Sequence, residues 1–178
     1  MNPQKNTTGG FHSNPSLWGE RKPLLIMAIC GFIIALYLGF YELGVFNKVP
    51  EPFFGNGTNQ ILNSTFSRSL PIPDGLLGAF GYLCDIILVS IGKQDRWKSK
   101  PWVVFLYSFT IAIMALVSLF LLIMQAFLLH SWCTLCLASA ALSLLMVRPV
   151  SNEFLASFHY IMAEKEAGKP FLKALEGR

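Results

Sequence analysis

The sequence predicts an all-α protein: a four-helix transmembrane bundle with a long external loop after helix 1 and an amphipathic C-terminal helix. Three observations carry this expectation. Of 178 residues, 53% are hydrophobic and only 13% charged, about half the charged share of an ordinary soluble domain. The mean hydropathy is +0.51. The apolar residues also form long uncharged runs joined by basic connections, as in a chain that crosses a bilayer repeatedly. This balance excludes a disordered chain, a disulfide-framed secreted module and a coiled coil. The basic residues are not gathered as a nucleic-acid binder requires, so no nucleic-acid partner is expected.

Each element follows from its run. Pro23 to Tyr41 carries no charge for 19 residues, about one bilayer crossing. Gly75 to Gly92 is a second run, interrupted only by Asp85. Trp102 to Val147 then contains no Asp, Glu, Lys or Arg across 46 residues. As one helix it would be roughly 69 Å long, twice the hydrocarbon core, so it must fold back. The polar cluster His130-Ser131-Trp132 marks the turn. The expected spans are 23–46, 75–92, 102–128 and 131–148. A bilayer leaves no water for open backbone, so these spans must be helical.

The ends and the first loop lie outside this membrane domain of residues 23–148. Residues 1–22 form an N-terminal segment without a cleavable signal pattern. The loop from Asn47 to Asp74 is rich in Gly, Asn, Ser and Pro, and Gln60 to Phe66 within it has the pattern of a short surface helix. Residues 149–178 read as an amphipathic tail. Ser151 or Asn152 stands as N-cap, Glu153 in the first turn, Gly168 as terminator and Pro170 beyond. Phe154, Leu155, Phe158, Ile161 and Met162 form its apolar stripe, suited to a lipid surface. A docking site is the alternative. There is no internal repeat.

Lys and Arg set the orientation. The N-terminal segment has Lys5, Arg21 and Lys22; the second loop has Lys93, Arg96, Lys98 and Lys100; the tail has Arg148, Lys165, Lys169, Lys173 and Arg178. The first loop has Lys48 and Arg68. This asymmetry predicts a multi-pass protein with both termini cytoplasmic and the third turn on the external, periplasmic or lumenal side. The net charge of +4 is the same signature, and the lipid bilayer is the first partner it implies. Tyr41, Trp97, Trp102 and Trp132 stand at span ends as interfacial anchors.

Chemistry is sought in the four cysteines. Cys30 and Cys84 lie within spans without a partner at matching depth and read as packing residues. Cys133 and Cys136 form a Cys-x-x-Cys that opens the fourth span on the external side. Cysteines three apart share a helix face. The first sits near the positive helix end, which favours its thiolate, and it can exchange with an external protein thiol. The second lies a turn deeper, within reach of a lipid-soluble acceptor. Zinc, which wants four ligands, has only His130 nearby, so no metal is expected. Two cysteines serving only as apolar filler remain an alternative.

Trp132-Cys133-Thr134-Leu135-Cys136 within four helices resembles the vitamin K epoxide reductase family. The supporting stretches are Ile61-Leu62-Asn63-Ser64, Pro71-Ile72-Pro73-Asp74-Gly75-Leu76-Leu77-Gly78, Tyr82, and Cys133-Thr134-Leu135-Cys136-Leu137-Ala138-Ser139-Ala140. The resemblance covers residues 23–148. It implies a membrane thiol–quinone oxidoreductase in which Cys133 exchanges with a thioredoxin-fold thiol donor and Cys136 contacts a quinone. Ubiquinone, menaquinone and plastoquinone are not distinguished, and the implied setting is a bacterial inner membrane. Asn63, Ser64 and Ser67 are quinone-binding candidates by position, with loop turn and helix cap as the alternative. Family members carry a second cysteine pair in the first loop; here that loop has none, and Thr58 stands about where its second cysteine is expected. The thioredoxin-like fusion is absent as well. A second reading follows from these departures: a catalytically degenerate member serving as accessory subunit of a larger membrane complex.

Asp85 is the remaining candidate. An acid inside a span is costly and suggests function. It can relay protons for quinone reduction or make a helix–helix hydrogen bond.

Overall fold

The computed structural model describes residues 16–46, 73–92, 96–130 and 132–166. All regular structure among them is helical: α1 (Trp18–Glu42), α2 (Asp74–Ser90), the single turn α3 (Arg96–Ser99), α4 (Pro101–Met124) and α5 (Thr134–Glu166). Three helices are long and apolar enough to cross a membrane, Trp18–Glu42, Pro101–Phe127 and Thr134–Glu166. The 17-residue α2 packs between α1 and α4 as the fourth member of the bundle. The predicted short helix at 60–66 lies outside the described residues.

The first helix begins five residues earlier than Pro23, and Pro23 sits inside it. A proline in the second turn removes one backbone donor, and the helix continues through it; two residues earlier, Arg21 is drawn into the bundle. Its Nη1 donates to Gly92 O at 3.0 Å, and Nη2 donates to Ile91 O at 3.0 Å and to Val89 O. At the other end of α1, the Glu42 carboxylate accepts the Gly75 N–H at 3.2 Å. It thereby serves one of the unpaired amides at the start of α2 and puts an anion at its positive end.

Close approach of α1 and α2 rests on two glycines. A Cβ at Gly75 would meet the Gly39 backbone, and one at Gly31 would meet the Tyr82 ring. Small residues let helices pack where lipid offers no hydrophobic drive to association. Ala28, Tyr82, Val89, Val103, Tyr107, Ile111 and Met146 meet between the four helices as the fully buried centre. Residues such as Phe80 and Leu116, 66% and 67% exposed, point away from it toward lipid.

The chain reverses where the uncharged run predicts. α4 loosens into a π-turn over Gln125–Leu129 and stops at His130, whose left-handed φ of 47° ends the helix. Pro101 at the first position of α4 suits a helix start. α5 runs for 33 residues, about 50 Å, straight through Pro149. The expected tail helix is therefore present as a continuation of the fourth span, and Ser151 and Asn152 are interior positions of α5 rather than caps. Gly168 and Pro170 lie outside the described residues.

Of the apolar stripe expected on the tail, Leu155, Phe158 and Met162 are exposed, as a stripe meant for a lipid surface requires, while Phe154 is half-buried and Ile161 buried. The opposite face, with Val150, Glu153, Ala156 and Ser157, is buried. An ion pair sits on that buried face. Arg96 Nε donates to Glu153 Oε1 at 2.6 Å and Nη2 donates to Oε2 at 2.5 Å, with both side chains out of solvent. Ser16 Oγ also donates to this carboxylate. Arg96 Nη1 donates to Leu88 O at 2.9 Å and to Val89 O and Ile91 O at 3.3 Å. Two guanidiniums thus cover the last carbonyls of α2, where the helix dipole favours cations, and one carboxylate on α5 balances them. The Phe105–Phe154 and Trp97–Tyr160 ring pairs flank this joint.

Candidate redox site

At the opposite end of the bundle, Cys133 and Cys136 form a disulfide with Cα atoms 5.2 Å apart. The local helix start makes this geometry. Leu137 N–H donates to Cys133 O at 2.9 Å, so Cys133 occupies the N-cap of α5. Cys136 N–H donates to Cys133 Sγ at 3.1 Å, the bond that Ser or Asp supplies at an ordinary N-cap. After reduction, the same N–H and the helix dipole favour negative charge on Cys133 Sγ.

Burial inverts one expectation. Cys133 was expected to face the external medium, but it is fully buried and packs on Leu38, with Ile34, Tyr41 and Leu135 alongside. Cys136, expected to be the deeper and more sheltered of the two, is the half-buried one. The span entrance is exposed in sequence terms only; in the fold α1 leans across it. Exchange at Cys133 therefore requires displacement of the α1 side chains that cover it. We expect Leu38→Ala to speed reduction of the disulfide by a water-soluble dithiol several-fold, followed by thiol labelling with time. Leu24→Ala, an equally buried leucine at the far end of α1, should leave that rate unchanged.

A polar ladder descends from the disulfide. One turn below Cys136, Ser139 O accepts the Tyr82 hydroxyl at 2.7 Å, with Ser139 Oγ at 3.2 Å. One turn further down α2, Asp85 is fully buried and Oδ1 accepts from Thr110 Oγ1 at 2.9 Å. Asp85 is thus engaged in a helix–helix hydrogen bond to α4. It stands about 9 Å deeper than Cys136, three residues below the Tyr82–Ser139 level against three above, so the fold does not bring the two together. Asp85 Oδ2 has no hydrogen-bond partner among the described residues. Asn63, Ser64, Ser67 and Thr58 lie outside the described residues. Cys30 and Cys84 are free thiols, the first exposed on the helix surface and the second half-buried.

Sequence reasoning passed over Gln125. It begins the π-turn, is 4% exposed, and its Oε1 has no hydrogen-bond partner among the described residues. An amide in the middle of a 46-residue uncharged run was a legible signal, since polar groups inside spans are costly.

A helical membrane bundle with a Cys-x-x-Cys disulfide capping one of its helices defines a membrane protein equipped for thiol–disulfide exchange. A family model described as the vitamin K epoxide reductase family matches residues 22–149. The chain belongs to this family, whose members are membrane oxidoreductases of thiol–quinone type. Searches of curated proteins and of solved structures returned no match.

Proposed function

We propose that this protein oxidises thiols of a protein donor at the Cys133–Cys136 disulfide and passes the electrons to a quinone dissolved in the membrane. The observation that carries this reading is the disulfide itself, seated at a helix N-terminus with its second sulfur half-buried at the edge of the bundle. The residues around it fit a quinone. Leu135 and Cys136 offer apolar contact, and Gln125 Oε1, at the end of the neighbouring helix, has no hydrogen-bond partner among the described residues.

The residues divide the work. A donor thiolate attacks Cys133 Sγ, the sulfur–sulfur bond breaks and Cys136 leaves as a thiol. The donor's second thiol then resolves the mixed disulfide, so two donor thiols become a disulfide and Cys133 and Cys136 become a dithiol. The quinone supplies the acceptor for two electrons and two protons. The dithiol gives up both electrons and one proton from each thiol as the Cys133–Cys136 bond re-forms; Cys136 faces the apolar side, and its N–H donates to Cys133 Sγ and holds that sulfur in place for closure. With no cysteine in the first loop, the donor, a thioredoxin-fold protein, reaches Cys133 directly.

The test is quinone reduction by a soluble dithiol in reconstituted bilayers. Wild type should reduce the quinone with thiol oxidation in equal amount, and the Cys133→Ala/Cys136→Ala double variant should show only the uncatalysed rate. Equal rates for the two would favour the second reading, a degenerate accessory subunit, which the missing loop cysteines support.

A further inference from the structure

Ser118 of α4 and Ser143 of α5 meet Oγ to Oγ at 2.8 Å. That contact fixes both the register of the antiparallel pair and the faces the two helices turn to each other. Seven residues make two helical turns, within about 20° of returning to the same face. Gln125 lies seven residues from Ser118 toward the disulfide end, and Cys136 lies seven residues from Ser143 in the same direction. α4 is regular through Met124 and α5 from Thr134. Gln125 and Cys136 are therefore level in the bilayer and on the facing sides of their helices.

Gln125 is an unusual residue to place there. Its side chain is buried, and Oε1 finds no hydrogen bond among the described residues. In an apolar setting such an atom is costly to leave unpaired, and a bilayer interior supplies no water to relieve it. The helix opens into a π-turn at this residue, a distortion that concentrates at functional sites.

We propose that Gln125 binds an oxygen of the quinone that Cys136 reduces, in both the oxidised and the reduced form. The inference rests on the thiol–quinone reading above. A carboxamide carries donors on Nε2 and an acceptor on Oε1. Nε2–H donates to a quinone carbonyl; after two electrons and two protons have been transferred, the resulting hydroxyl donates to Oε1. One side chain thereby serves both forms. An ionised carboxylate offers acceptors only, and a thioether offers no donor.

The probe is a benzoquinone with a decyl tail, and its quinol, titrated against the full chain in phosphatidylcholine nanodiscs by quenching of tryptophan fluorescence. Gln125→Met should weaken binding of the quinone about ten-fold. Gln125→Glu, titrated at a pH high enough to ionise the buried carboxyl, should lower the affinity for quinone relative to quinol. That ratio is taken within one protein and does not depend on how well the variant folds. Unchanged affinity in Gln125→Met, or an unchanged ratio in Gln125→Glu, overturns the assignment. If wild type itself binds neither form, the thiol–quinone reading falls first and this inference with it; if wild type binds and the variants match it, only Gln125 is wrongly assigned.

Discussion

Glu153→Leu is expected to destabilise the protein by about 3–5 kcal/mol, because it leaves two buried guanidiniums with no counter-charge among the described residues. Arg21 and Arg96 converge on the carbonyls that end α2, and Glu153 is the acid that balances them. Adding Arg96→Met to Glu153→Leu should recover much of the loss, since removing both members of a buried pair costs less than removing one. Arg21 still holds the Val89, Ile91 and Gly92 carbonyls in that double variant. Unfolding midpoints in one detergent decide the matter. A double variant as unstable as the single one would mean that Glu153 acts through packing rather than charge.

Cys136→Ala should abolish quinone reduction and trap the donor. With the second thiol gone, a Cys133 that has formed a mixed disulfide has no intramolecular thiol to release it. A non-reducing gel of this variant, expressed in its own membrane, should show a heavier species that a reductant removes. Cys133→Ala should show none. It should also lose about 1 kcal/mol of stability with the N-cap, which Cys133→Ser should retain. If the heavier species appears with Cys133→Ala instead, the donor attacks at Cys136, the half-buried sulfur, and the order of the two cysteines is reversed.

The architecture was legible because its causes are local. Uncharged runs of bilayer length fix the spans, and a 46-residue run too long for one crossing forces the reversal at His130. The Cys-x-x-Cys was legible for the same reason, since spacing on one helix start brings the sulfurs together. What escaped was pairwise and distant. Arg21 and Arg96 count in sequence as charges that orient the chain, yet both are fully buried. Glu153 reads as the acid of a first helical turn, but its partner is 57 residues away. That pairing holds the part of α5 beyond Pro149 against the end of α2. The burial of Cys133 depends on Leu38 of another helix, nearly a hundred residues earlier, and no pattern around the cysteine records it.

The joint between Arg96 and Glu153 also orders how the molecule is made. Ribosomes deliver the chain from its N-terminus, so Arg21, the end of α2 and Arg96 are all synthesised before their acid exists. Until Glu153 emerges, the half-made bundle carries two cations against one helix end without the acid that pairs with Arg96 among the described residues. The carboxylate arrives on the same continuous helix whose first residues carry the disulfide. Closure of the far end therefore waits on the last span, and the nascent chain completes its redox centre and its final lock with one helix. Glu153 lies beyond the 22–149 stretch that matches the family, so a chain cut at that boundary would lack the residue that completes its assembly.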